Sequence, residues 1–162
     1  MNKHIALITR VNKAAGSDAF YARSQALGLL AVRAFSEEHN SEKQERHRSQ
    51  MTGLENIAET TGKVTDVLDY IKKQTAHQKE GQGWKKKVGA KGELFGEVLK
   101  NELESGLESY IKDVCQDFID TTTDEGRQQR QEVYLLLIRQ FIRQLVAQYE
   151  YEMSLMEERA KA

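Results

Sequence analysis

The densest positive charge in the chain lies in Gly83-Trp84-Lys85-Lys86-Lys87-Val88-Gly89-Ala90-Lys91-Gly92, with Lys72, Lys73 and Lys79 just upstream. Ammonium groups on a glycine-bent segment suit the phosphates of a nucleic-acid strand, and an indole can stack on a base or a sugar. Farther along, Arg127 with Arg130 and Arg139 with Arg143 recur at one-turn helical spacing, among Gln128, Gln129, Gln131, Gln140 and Gln144. Such a face suits contacts to a phosphate backbone without reading of bases. A further basic cluster, Lys43, Arg46, His47 and Arg48, lies in a polar stretch. The opposing reading is that lysine runs are solvated and that Trp84 merely anchors its loop to the core. On sequence the two stand almost level.

Other chemistries find less support. Inward-pointing Glu-x-x-His pairs hold di-iron sites in helical bundles. Here the residues three before His39, His47 and His77 are Ser36, Gln44 and Gln74. The single cysteine, Cys115, has no second thiol to share a zinc ion or a disulfide. It sits on the apolar side of its helix next to acids, which raises a thiol pKa and marks a buried structural residue. The glycines match neither the Walker spacing nor the dinucleotide fingerprint. The pairs Glu93 with Glu97 and Glu104 with Glu108 are ordinary on an exposed helix face. The residues therefore call for no metal, no cofactor and no catalytic constellation.

Composition narrows the class further. Of 162 residues none is proline and 30% are charged, with 24 basic against 25 acidic, a formal net charge of -1. Near-neutrality excludes bulk attraction to nucleic acid or to an anionic membrane, so any such binding must come from local asymmetry. A lone cysteine fits a reducing, cytoplasmic setting. The apolar run after Met1 is too short for a signal core, and no segment reaches the roughly 20 apolar residues of a membrane span. The length suits one domain over residues 1–162.

The elements that would carry these residues read as helices. Proline costs about 3 kcal/mol inside a helix, and its absence removes the usual punctuation of loops and sheet edges. A first helix is expected over Asn2 to Ala14, stopped by Gly16. A second starts at the Ser17-Asp18 cap and runs to about Glu38 through Phe20, Leu27, Leu30 and Phe35, weakened at Gly28. Residues 37–50 form a polar connection or a partly helical extension. Two shorter helices follow, around Leu54, Ile57 and Ala58 and around Val64, Val67, Leu68 and Ile71, broken at Thr61-Gly62. Residues 79–92 make a Gly/Lys-rich hinge.

Beyond the hinge, apolar residues from Leu94 to Phe118 recur at threes and fours, predicting one long amphipathic helix to about Asp120. Thr122 and Glu125 stand at capping-box spacing and start a last helix of roughly 35 residues, about 50 Å long. The predicted fold is all-α, an irregular helical bundle built on a long C-terminal antiparallel helical hairpin. Leu135-Leu136-Leu137-Ile138 is apolar on every side, which favours a subunit interface over burial within one chain.

Acids from Glu93 to Asp120 give the penultimate helix a negative face, so one copy's basic region can dock on the acidic helix of the next and build a row. A small helical chain with basic patches, no catalytic site and head-to-tail complementarity resembles the small helical subunit of CRISPR effector complexes. The resemblance is one of plan over the whole chain and transfers no individual residue. It implies several copies stacked along the complex, backbone contacts to guide or target strands, and no catalysis. Expected partners are thus nucleic acid, other protein subunits and further copies of the chain, with no membrane. The rival expectation is a protein-interaction module that uses Tyr149, Tyr151, Met153 and Met156 at the end of the last helix to bind a partner helix.

Overall fold

The computed structural model describes residues 2–36 and 41–161, the side chains of 41–47 excepted. Lys43, Arg46 and His47 of the upstream basic cluster therefore lie outside the described side chains, and His39 outside the described residues. Among the described residues the regular structure is all helical, apart from one isolated antiparallel bridge between Lys87 and Leu94.

Helix α1 spans Lys3–Ala15 and is capped by Asn2, whose side chain accepts the amide of His4 at 3.0 Å. Helix α2, Asp18–Phe35, is capped by Ser17 as expected. The hydroxyl of Ser17 accepts the amide of Phe20, and Asp18 lies at the positive end of the helix dipole. Helices α3 (Ser41–Thr60) and α4 (Val64–His77) meet at the expected Thr61-Gly62 break. There the Thr61 hydroxyl accepts the Lys63 amide and donates to Asp66 at 2.5 Å.

The single long penultimate helix is not formed. Its residues divide into α5 (Phe95–Asn101), a π-helical turn (Glu102–Gly106) and α6 (Glu108–Cys115). Two tertiary bonds hold the wider turn: Tyr134 donates its hydroxyl to the Leu103 carbonyl at 2.6 Å, and Arg23 pairs with Glu102 at 2.6 Å. Apolar spacing of threes and fours is satisfied on both sides of such a turn, which is why it leaves no mark in the pattern. The helix also stops at Cys115, short of Asp120, because Asp117 takes a left-handed φ of 63°. Arg10 from α1 donates to the carbonyls of Val114 and Gln116 at 2.8 and 2.9 Å and lies over the Phe118 ring.

Helix α7 runs Asp124–Lys161, 38 residues and roughly 57 Å long. Its cap is Thr123, which accepts the Gly126 amide at 3.0 Å. The expected Thr122–Glu125 box does not form, because Thr122 is bonded to the Asp120 carboxylate through both its amide and its hydroxyl.

Helix α7 is the spine of the bundle, and α2 is its most extensive neighbour, ahead of α3 and α1. The penultimate segment meets it chiefly through α6, whereas α5 packs on α4. The partner expected from chain order is thus displaced by α2. Gly28 permits this: a β-carbon there would stand 2.7 Å from both the Leu145 carbonyl oxygen and the Gln148 Cβ, so only glycine lets the two helices approach so closely. Phe20 meets Phe141 and Tyr110 edge-on where α2 crosses the spine. Leu135, Leu137 and Ile138 are buried, and Leu136 packs partly buried against the same core. The all-round apolar turn is thus covered by the chain's own helices, and the argument it offered for a subunit interface lapses.

Candidate nucleic-acid interface

The lysine segment is a fastened loop rather than a free hinge. After α4 the chain makes a 3-10 turn at Gly83–Lys85, with the amides of Lys85 and Lys86 bonded to the carbonyls of Gln82 and Gly83. Gly83 has φ of 51°, and a β-carbon there would press on Phe35 at 2.9 Å. Residues 86–95 then close on themselves. Val88 and Gly89 donate to the Glu93 carbonyl, and Phe95 donates to the carbonyl of Lys86. Val88 is buried and its carbonyl accepts from Arg33 of α2.

Trp84 is the anchor. Its side chain is 0% exposed, with ring centroids 5.5 Å from Phe95, 5.9 Å from Phe35 and 6.4 Å from Tyr70. A ring enclosed in this way presents no face to a base, so the stacking role expected for Trp84 is withdrawn and its anchoring role stands. The physical reason is the aromatic cluster contributed by α2, α4 and α5, which local sequence does not display.

With Trp84 and Val88 turned inward, Lys85, Lys86 and Lys87 are left at the surface, the first two half-buried and the third exposed. They line a cleft of about 550 Å³ together with Glu80, Gly81 and Leu94. A second cleft of about 250 Å³ lies between α4 and α5, lined by Lys72, Thr75, Lys85, Glu97 and Lys100 among others. Lys85 belongs to both. Its ammonium donates to the Ala76 carbonyl at 3.2 Å in the last turn of α4, which leaves donor capacity on the same group. Lys72 lies 3.7 Å from Asp69, and Lys100 pairs with Glu104 at 2.5 Å. Both pairs are substantially exposed, so neither locks its lysine away from another anion. Lys73 and Lys91 are exposed beside these clefts in sequence but line neither.

The arginines of α7 do not join this surface. Arg139 donates to the carbonyls of Ala58 and Thr61, both at 2.8 Å, closing the C-terminal end of α3. Arg143 forms a two-pronged pair with Glu59, 2.7 Å on one prong. That bond holds the Glu59 carboxyl below its ordinary pKa and raises that of Arg143. Arg127 bonds the carbonyls of Thr121 and Thr122 and pairs with Asp124 at the start of its own helix. Arg130 is half-buried near Cys115, whose thiol is pushed up in pKa chiefly by burial. The Phe35–Tyr149 ring contact fixes the lysine end of the spine. Arg127, 22 residues before Tyr149, therefore lies roughly 33 Å down the axis. The Arg/Gln face expected on α7 is thus largely spent on bonds within the chain. Arg48 likewise pairs with Glu157.

Sequence reasoning passed over Lys100, Arg10 and Arg23. Lys100 stands one turn from Glu97 and Glu104 and reads as an ordinary helix-surface cation; only the packing of α5 on α4 puts it in a cleft with Lys72. Among the described residues no group of His, Cys, Asp and Glu is placed to hold a metal ion, and no helix is long and apolar enough to cross a membrane. Comparison with protein-family models, with curated proteins and with solved structures finds no match to this chain.

Proposed function

We propose that the chain is a non-catalytic small subunit of a nucleoprotein assembly, gripping nucleic-acid backbone through the lysine clefts and meeting neighbouring protein subunits through other faces. The observation that carries this is the sharing of Lys85 by two clefts, with Lys72 and Lys100 on one side and Lys86 and Lys87 on the other. Cations lining two clefts that share Lys85 match a ligand whose anionic charge repeats, which is the character of a strand and not of a single small anion. The plan remains similar to the small helical subunit of CRISPR effector complexes, and a cytoplasmic setting suits both that role and a lone thiol. A salt titration of single-stranded nucleic-acid binding is the test. Each phosphate contact adds about 0.7 to the logarithmic salt slope for single strands. The triple variant K85A/K86A/K87A should lower that slope by about 2. Retention of wild-type affinity and slope by that variant removes the reading.

A second reading, a helical scaffold without nucleic-acid binding, draws on the end of α7. There Tyr151 is 60% and Met156 39% exposed, while Tyr149 and Met153 are buried in the chain's own core. Exposed apolar side chains on the last turns of α7 suit a partner helix. Absence of binding at low salt, together with a defined protein complex on co-purification, would decide for the scaffold.

A further inference from the structure

The larger cleft is not lined by cations alone. Leu94, half-buried, and the alkyl stems of Lys85, Lys86 and Lys87 give it an apolar wall, and Gly81 adds backbone with open space where a side chain would stand. Its volume of about 550 Å³ falls within the range of small-ligand pockets, and a phosphate group alone would leave most of it empty. It also holds one carboxylate, Glu80, exposed and without an ion-pair partner among the described residues.

An ionised carboxylate accepts hydrogen bonds and donates none. Three ammonium groups against one carboxylate leave the cleft attractive to phosphate, and a ligand that also brings an apolar body and a hydrogen-bond donor uses Leu94 and Glu80 as well. Resting on the proposed function, we propose that this cleft seats one nucleobase of the bound strand. Its face lies on Leu94, its exocyclic amino group donates to Glu80, and the three lysines hold the flanking phosphates. Cytosine carries such an amino group at the position where thymine and uracil carry a carbonyl oxygen, which a carboxylate repels. Glu80 is thereby a specificity-determining residue, and the strand is read weakly at one base in a contact otherwise made to its backbone.

The test compares short single strands of cytosine alone and of thymine alone, equal in length, at one neutral pH and one salt concentration, by fluorescence anisotropy. The wild-type chain should bind the cytosine strand at least about fivefold more tightly, the low end of discrimination by a base-edge contact. Glu80→Leu should abolish the difference and leave the thymine strand bound at least as well, because the repelling carboxylate is gone. Leu94→Ala should weaken both strands while leaving an abasic strand unaffected. Equal binding of the two strands by the wild type, or a cytosine preference that survives in Glu80→Leu, overturns the base seat and spares the backbone reading if K85A/K86A/K87A still weakens both. Failure of both strands to bind, or binding by that triple variant equal to the wild type's, overturns the backbone reading and the base seat with it.

Discussion

The hydroxyl of Tyr134 on α7 donates to the main-chain carbonyl of Leu103 at 2.6 Å, tying the spine of the bundle to the π-helical turn that interrupts the penultimate segment. Leu103 is fully buried and Tyr134 half-buried, so the tie runs from the edge of the core into it. A bond of this kind adds about 1 kcal/mol, and its loss is felt where the wider turn must be held open against the narrower α-helical path. Tyr134→Phe should therefore lower the melting temperature by about 2 to 4 °C, read by thermal denaturation followed by circular dichroism.

Tyr149 offers the opposite case. Its ring is fully buried against Phe35, but its hydroxyl is buried without a hydrogen-bond partner among the described residues. Removing an unsatisfied buried hydroxyl relieves a desolvation penalty instead of breaking a bond. Tyr149→Phe should leave the melting temperature unchanged or raise it. A drop as large as that of Tyr134→Phe would contradict the assignment.

Both phenols titrate late, with pKa values pushed up to about 12, chiefly by burial. A tyrosine whose pKa is higher folded than unfolded stabilises the fold fully below the unfolded value of about 10. That contribution is lost as pH rises towards the folded value. Stability should thus fall between about pH 10 and pH 12, and the double variant Y134F/Y149F should show a shallower fall in chemical-denaturation midpoints across that window.

At Gly28 the propensity argument and the packing argument point in opposite directions. Alanine gains about 1 kcal/mol over glycine in a helix interior. Its β-carbon would, however, meet the Leu145 carbonyl oxygen and the Gln148 Cβ, each at 2.7 Å. Overpacking typically costs about 1 to 3 kcal/mol, and one of these neighbours is backbone that cannot turn aside. Gly28→Ala should be net destabilising by urea unfolding, whereas the same change at Gly62, where a β-carbon has open space, should not be.

The two arginines on the spine should separate as sharply. Arg139 satisfies two carbonyls at the end of α3, and Arg139→Ala should cost about 1 to 3 kcal/mol by leaving them without a partner. Arg143 is exposed and pairs with Glu59 at the surface, so Arg143→Ala should cost less than about 1 kcal/mol. Arg143→Ala should also leave the salt slope of nucleic-acid binding unchanged, a clean contrast with the lysine variants.

Much of the helical plan was legible because it depends on nearest neighbours along the chain. Ser17 caps its helix as expected, Asn2 stands one residue outside the helix expected to include it, and Thr61-Gly62 breaks the chain where a hydroxyl can bond locally. The start of α7 was misplaced by one residue. Thr122 and Thr123 are both competent caps, and a side-chain bond from Thr122 to Asp120 settles which of them is used. The interruption at Glu102–Gly106 was not legible, since its cause lies in Tyr134 and Arg23, 31 and 79 residues away along the chain from their partners. Within the candidate interface, the lysine run was visible from composition, but which way Trp84 faced was not.

By itself the sequence determined that this is an all-helical chain, where the first two helices and the last begin to within a residue, and that its positive charge concentrates around Lys85. Those properties follow from local propensity, capping chemistry and composition, each acting within a few residues. Tertiary structure alone decided that Trp84 is anchor and not stacking platform, that α2 and not the penultimate segment is the chief partner of α7, and that Arg139 and Arg143 serve α3. It also brought Lys100 to Lys85. These outcomes depend on which surfaces exclude water together, and that is set by contacts between residues far apart in the chain.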